Sequence, residues 1–380
     1  MVTDNMAPVH GGDLEAIGRH YGVDPGSLLD FSANVNPLGP PSALLSALEA
    51  AVRDVAELGR YPEADARSLR LALGSHLDVE PDAIVVSNGA AALLGTALGA
   101  LGARRCVVPT PAFSENQHAL RALGVGWCGV PLDPLRDFAL EPNDVSETVR
   151  SQAADVSLLA NPHNPSGSLT PRDDILRLVA DAHRLKAATI VDEAFIDYAP
   201  ASSITREAAM TPGLIAVRSL TKFFAVPALR VGYAVAEPDL ARKMRAQLPS
   251  WPVTTLAMGA LAAALNDVSY VARTLAENEH ARSTLTADLA KLKLRIAPAA
   301  ANFLLITLPP DAPSAKELAR RLILDAHVVV RDCSSYKGLE DGRYIRVAVR
   351  RRSDNALLVH ALSRVLASPS KPHSLLNVTI

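Results

Sequence analysis

Short β-branched runs alternating with longer amphipathic stretches constrain this chain more than any other feature. AIVVS (83–87), RCVVPT (105–110), VSLLAN (156–161), ATIVDEA (188–194), LIAVRSL (214–220) and RVGYAVA (230–236) read as strands. Between several of them lie helical patterns such as RDDILRLVADAHRLK (172–186), with apolar residues at helical spacing. Strand, helix, strand in succession implies an α/β fold with a mostly parallel sheet covered on both faces, because parallel neighbours need a crossover connection. In such sheets ligands collect beyond the carboxyl ends of the strands. Polar residues just after these runs are therefore the first candidates for chemistry.

The pattern changes after about residue 260. A long polar helix, SYVARTLAENEHARSTLTADLAKLK (269–293), leads to ANFLLITL, HVVVRDC and YIRVAVR, with helices over 314–326 and 353–367 between and after them. This predicts a second, smaller α+β domain. The first forty residues, rich in Gly, Pro and Asn, read as an arm that docks on it. The expected division is a large domain over 41–260, a small domain built from 1–40 and 261–367, and a C-terminal tail over 368–380.

At 380 residues and 49% hydrophobic, the chain can bury a core for two such units. A net charge of −2 leaves no footprint for nucleic acid or an anionic membrane. Cys106, Cys128 and Cys333 form no CxxC pair, so neither a metal site nor a disulfide framework is expected, and reduced thiols of a cytoplasmic protein are the simpler reading. MVTDNMAPVHGGDLEAIGRHYG lacks the basic start and apolar core of a signal peptide. VTTLAMGALAAAL (253–265) falls short of the roughly 20 residues a spanning helix needs, so no membrane partner is expected.

SLTKFFAVPALRVGY (219–233) places Lys222 among Phe, Val, Ala and Leu, where an unpaired cation is costly to bury. Four polar features fall at expected strand ends. Asp192 ends TIVD. Asn164 lies in NPHNPSG, after VSLLA. Ser219 and Lys222 follow LIAVR. SNGAAALL opens a helix after AIVV through Gly89, Ala90 and Ala91. Singly, each has an ordinary reading as a cap, a turn or a strand–helix junction. Together they fit one chemistry. An amine in apolar surroundings has a lowered pKa and forms a Schiff base with an aldehyde, and pyridoxal phosphate is the usual protein-bound aldehyde. Its ring nitrogen needs a carboxylate, Asp192, and its phenolic oxygen a donor, Asn164. Its phosphate needs the amides of Gly89, Ala90 and Ala91 with the Ser219 hydroxyl and the Arg230 cation. Its ring needs a flat neighbour, and Phe113 in TPAFSENQ is the candidate. Glu193 should point to the opposite side of its strand, and Phe223 and Phe224 read as core.

With VDEAFIDY (191–198) and FSANVNPLG (31–39), these segments resemble fold-type I pyridoxal-phosphate enzymes of the class I/II aminotransferase superfamily, from about His10 to Arg350. The resemblance implies a mostly parallel seven-stranded sheet between helices, a smaller α+β domain, and a homodimer with shared active sites. Tyr61 in RYPEAD matches the tyrosine that touches the cofactor phosphate of the partner subunit.

Two branches compete, the histidinol-phosphate aminotransferases and the threonine-phosphate decarboxylases of cobalamin synthesis. HGGD (10–13) is similar to the decarboxylase HGGN, and LLDFSANVNPLG (28–39) resembles that branch closely. Phe195 stands where aminotransferases usually carry a tyrosine whose hydroxyl binds the phenolic oxygen. VVVRDCSSYKGLEDGRYIRVAVR (328–350) resembles the decarboxylase C-terminal segment, Cys333 and the Tyr-x-Gly-Leu run included, although GLEDGRYIR is one residue longer. The likeness implies a phosphorylated amino-acid substrate, with Arg346 on its carboxylate, Arg331 and His10 on its phosphate, and Asn34 nearby. From spacing alone Arg346 and Arg350 share a solvated strand face; the resemblance reverses this for Arg346 but not for Arg350, Arg351 or Arg352, and Arg343 stays open. SNGAAALL replaces a pattern that supplies Glu and Thr in some relatives, so phosphate binding here leans on backbone amides. The implied reaction is decarboxylation of L-threonine O-3-phosphate; the alternatives are a histidinol-phosphate-type aminotransferase or a relative recruited to another amino acid. A regulator using such a domain as a ligand sensor would need a DNA-binding unit ahead of it, which a fold beginning near His10 does not accommodate, and a basic stripe, which is absent from the sequence.

Overall fold

The computed structural model describes residues 11–367; His10 and the 368–380 tail lie outside the described residues. The strands are β1 Leu29–Asp30, β2 Ile84–Ser87, β3 Arg105–Thr110, β4 Gly126–Pro131, β5 Val156–Ala160, β6 Ala188–Asp192, β7 Leu214–Ser219, β8 Gly232–Ala236, β9 Arg295–Ile296, β10 Phe303–Thr307, β11 Val328–Val329, β12 Arg331–Asp332 and β13 Tyr344–Ala348. The seven-stranded sheet is present, in the order β2-β8-β7-β6-β5-β3-β4. Strands β3 to β7 run parallel, whereas β8 is antiparallel to both β7 and β2. This one reversal organises the functional rim. It makes β2 point the same way as β7, so Ser87 ends on the rim reached by Ala160, Asp192 and Ser219. It also makes β8 start at that rim, which brings Arg230 there.

Both faces of the sheet are covered, so β2, β7 and β8 are buried at every residue. Alternation sends Ile84, Val86, Leu159, Val191 and Ala216 into one core and Val85, Leu158, Ile190, Ile215 and Val217 into the other. Burying each large aliphatic side chain contributes roughly 1.5–3 kcal/mol of transfer free energy. Strand β4 is the member of this sheet not expected from sequence: GWCGVP carries Gly and Pro that disfavour a strand interior, but an edge position tolerates them.

A second sheet, in the order β12-β13-β10-β9, packs with the Ala315–Ala326 and Arg352–Ala367 helices around Leu304, Ile345, Val347, Leu318 and Leu358. The arm joins this core: β1 pairs in parallel with β11, and Phe31 is fully buried in it. The Val268–Ala290 helix joins both cores, with Tyr270 in that of the large sheet and Leu285 and Leu289 in that of the second. Among the described residues no single helix is long and apolar enough to cross a membrane. Arg350 corrects the expected strand face. Strand β13 ends at Ala348, and Arg350 instead bonds Asp354 (3.0 Å) and the Asp30 carbonyl (3.1 Å), with its guanidinium 5.6 Å from the Phe31 ring centre.

Candidate active site

The carboxyl ends of β2, β5, β6 and β7, the arm, and the β12–β13 pair enclose a cavity of about 390 Å³. Lys222, Asp192, Asn164, Ser219, Arg230, Phe113, Gly89, Ala90, Ala91, Asn34, Arg331 and Arg346 all line it. Residues from a 313-residue span of chain, Asn34 to Arg346, thus meet because the sheet gathers its strand ends on one rim.

Lys222 lies in the short helical turn Leu220–Phe223 that follows β7. Its neighbours are core residues, whereas Lys222 itself is only partly buried and lines the cavity. Burial, then the Arg346 and Arg230 charges, push its pKa down to about 8, against the pull of Asp192. The turn is pinned from the arm, since Asn36 N donates to the Lys222 carbonyl (3.1 Å) and Asn36 Nδ2 to that of Phe223 (2.9 Å).

Asp192 ends β6 and is buried, with Oδ1 accepting from Ala194 N at 3.0 Å. Desolvation pushes its pKa up to about 6 despite that bond. Glu193 turns to the opposite side of the sheet, where it accepts from Ser203 Oγ, Ile204 N and Thr205 Oγ1. Asn164 Oδ1 accepts from Arg346 Nη1 at 2.7 Å. A guanidinium only donates, so the amide oxygen is committed to Arg346 and the amide NH₂ is left for the cavity.

The Ala90–Leu101 helix starts at the rim with its first amides unsatisfied within the helix. Gly89 holds φ +85°, and a Cβ there would sit 2.7 Å from Arg230 Nη2. At Gly232 a Cβ would lie 2.4 Å from Ala90 N, so glycine lets β8 pass against the start of this helix. Ser219 Oγ lies 2.8 Å from Thr221 Oγ1.

Arg331 and Arg346 face each other across β12 and β13, each 7% exposed. Arg346 Nη2 donates to the Ser32 carbonyl (3.1 Å) and Nη1 to the Tyr336 hydroxyl (3.3 Å), and the guanidinium stands 5.3 Å from the Phe303 ring centre. It has no carboxylate partner among the described residues, and its Nε has no hydrogen-bond partner. Arg331 Nη2 donates to Ser335 Oγ (3.0 Å) and its guanidinium lies 5.5 Å from the Tyr336 ring centre. Like charges directly opposite repel, so this corner favours an anion. Asn34 is buried beside them with Oδ1 unpartnered.

Thr221 and Tyr336 line the cavity beyond the residues expected from sequence. The signals were the hydroxyl one residue before Lys222 and the position of Tyr336 between the two arginines, within the Tyr-x-Gly-Leu run. Phe195 also lines it, edge-on to Phe303 with ring centres 4.9 Å apart. Tyr61 does not reach this cavity: it is 80% exposed and stacks on Trp251 at 4.7 Å. The amine, carboxylate, amide, helix start, flanking cation and orphaned Asn34 Oδ1 and Arg346 Nε suit a flat ligand bearing an aldehyde, a ring nitrogen and a phosphate, together with a second, anionic molecule.

Residues 27–365 match the model of the family described as aminotransferase class I and II. The chain is 35% identical over 363 residues to the threonine-phosphate decarboxylase of Salmonella typhimurium, covering 94% of this chain and 96% of that one. Its fold matches the crystal structure of L-threonine-O-3-phosphate decarboxylase from Porphyromonas gingivalis with a TM-score of 0.77 at 26% identity, over 89% of this chain and 99% of that one. It matches the histidinol-phosphate aminotransferase from Clostridium acetobutylicum with a TM-score of 0.81 at 28% identity, again over 89% and 99%. These relatives carry two different activities on one architecture; what the sequence match and the fold have in common is that this chain belongs to the class I and II aminotransferase family.

Proposed function

We propose that the chain is a pyridoxal-phosphate-dependent lyase that decarboxylates L-threonine O-3-phosphate to (R)-1-amino-2-propanol O-2-phosphate, the linker precursor of cobalamin. The observation that carries this reading is the facing pair Arg331 and Arg346 at one corner of the cavity. L-Threonine O-3-phosphate bears a carboxylate and a phosphate on adjacent carbons, one anion for each guanidinium. Histidinol phosphate bears a phosphate but no carboxylate, so it offers one anionic group to the facing guanidiniums where L-threonine O-3-phosphate offers two. The identity to the Salmonella decarboxylase supports the same choice.

The cavity residues fit the cofactor. Lys222 Nζ would take the covalent link, Asp192 would pair with the ring nitrogen, the Asn164 NH₂ would donate to the phenolic oxygen, and Phe113 would cover the ring. The amides of Gly89, Ala90 and Ala91, with Ser219 and Arg230, would take the phosphate. When bound, pyridoxal phosphate supplies a protonated conjugated ring that accepts the electron pair of a bond breaking at the substrate α-carbon.

The chain's own residues then select the bond. Arg346 holds the carboxylate, and Arg331 with His10 holds the phosphate, beside Asn34. Two anchors would fix rotation about the α-carbon and so select which of its bonds is presented for cleavage, here the bond to the carboxylate and not the bond to hydrogen. Asp192 would be held ionised by a positive charge on the ring nitrogen, which opposes the upward push of burial. Lys222, whose amine is pushed down to a pKa of about 8 in the empty site, can hold a proton and return it to the α-carbon. Tyr61 serves the cofactor phosphate of a second copy in a homodimer.

Cofactor-loaded protein given L-threonine O-3-phosphate, with no keto acid, should release carbon dioxide and form aminopropanol phosphate, identified by mass spectrometry. Turnover that requires 2-oxoglutarate, or consumption of histidinol phosphate in its place, would hand the site to the aminotransferase reading.

A further inference from the structure

His163 is 6% exposed and carries two short hydrogen bonds, yet it does not line the cavity. Its Nε2 lies 2.7 Å from the Pro111 carbonyl, which can only accept, so Nε2 carries the proton. Its Nδ1 lies 2.7 Å from Ser166 Oγ and therefore accepts from that hydroxyl. The ring is neutral in this arrangement, and burial holds its pKa down at about 4.

The two bonds join the two loops that matter most to a flat ligand. Pro111 is two residues before Phe113, and His163 is covalently next to Asn164. Phe113 and Asn164 line the same cavity from different strand ends, after β3 and β5. The link is braced on its other side: His163 N donates to the Ser168 carbonyl (2.8 Å), Ser168 N to Ser166 Oγ (3.2 Å), and Ser168 Oγ to the Phe138 carbonyl (3.1 Å). Arg346 grips the Asn164 oxygen but leaves the backbone beneath it to His163.

We propose that His163 is a positioning residue: by tying the Pro111 carbonyl to the Asn161–Gly167 loop it sets the Asn164 amide against the ligand's phenolic oxygen while Phe113 covers the ring. The proposal rests on the cavity being the pyridoxal-phosphate site. It is consequential here because Phe195 contributes no hydroxyl to that oxygen, which leaves the task to Asn164. A donor on the phenolic oxygen stabilises its anionic form and weakens the hold of the cofactor's conjugated imine nitrogen on its proton. The position of Asn164 is therefore readable as the pH midpoint of the bound cofactor's visible absorbance band.

In the cofactor-loaded protein, His163→Asn keeps a partner for Ser166 but loses the reach to Pro111. It should raise that midpoint by about one pH unit, a tenfold change in proton affinity. His163→Gln, which places an amide N–H where Nε2 stood, should restore the midpoint to within about 0.3 unit. Ser166→Ala, which frees Nδ1, should give a smaller rise. A role confined to stability would lower the melting temperature of all three and leave the midpoint in place, and that result overturns the proposal. Should His163→Asn not fold, Ser166→Ala decides: an unmoved midpoint counts against the proposal and a raised one for it. Asn164→Ala separates the two levels of inference, because an unmoved midpoint in that variant contradicts the cofactor placement itself and not the role of His163.

Discussion

Lys222 and Asp192 are driven in opposite directions by the same loss of solvent. The amine falls to about 8 and the carboxyl rises to about 6, so each is displaced toward its neutral form. That displacement is a stability cost of the apoprotein with a definite sign. A carboxyl whose folded pKa lies above its ordinary value of 3.8 contributes stability below about pH 4 and loses it as the pH rises through about 6. Replacing Asp192 by Asn removes the penalty. Urea denaturation of the apoprotein should show Asp192→Asn more stable than wild type by about 1–3 kcal/mol above pH 6, with the difference vanishing near pH 4. The same variant should lose roughly 10²–10⁴-fold in decarboxylation, because the ring nitrogen then has no anion to keep it protonated. A variant that is less stable at pH 7 than wild type would mean that Asp192 is already paired in the empty site.

At the scale of elements, the six β-branched runs were legible because buried strands of a covered sheet cannot hide their composition; their observed ends lie within two residues of those read in sequence, and Arg105–Thr110 matches at both ends. Strand β4 was not legible, since GWCGVP signals a turn and only its edge position makes it a strand. The candidate site was legible in part for the same geometric reason: Asn164, Asp192 and Ser219 stand at or beyond the ends of parallel strands, a place that can be read from one dimension. Thr221 and Tyr336 were harder to read, because their signals, a hydroxyl beside Lys222 and a tyrosine between two arginines, do not by themselves separate a cavity hydroxyl from a solvated one. His163 was hidden more deeply. Its meaning lies in a contact with Pro111, 52 residues away, and a bond of that separation leaves no trace in local spacing. The shared strand face of Arg346 and Arg350 was wrong because β13 stops at Ala348 and the chain turns into the Arg352–Ala367 helix.

At the scale of the whole molecule, one surface has the character of an interface. Leu45, Val52, Val55 and Leu58 are exposed on the Ser42–Arg53 and Val55–Leu58 helices, just before Tyr61, which stacks on the half-exposed Trp251. Apolar side chains crowded into one segment favour a partner, and a second copy is the one the proposed function calls for. Sedimentation should report a dimer for the wild type and a monomer for Leu58→Glu. Tyr61→Phe should stay dimeric and hold the cofactor roughly 10- to 150-fold more weakly, since a hydrogen bond to an anion is worth roughly 1.5–3 kcal/mol. A wild-type monomer that retains full activity would contradict the shared site. The placement of every partner in this cavity depends in turn on one covalent attachment. Borohydride reduction of the cofactor-loaded protein, followed by proteolysis and mass spectrometry, locates it: the account predicts a phosphopyridoxyl group on Lys222, and finding that mass on another lysine, or on none, would contradict it.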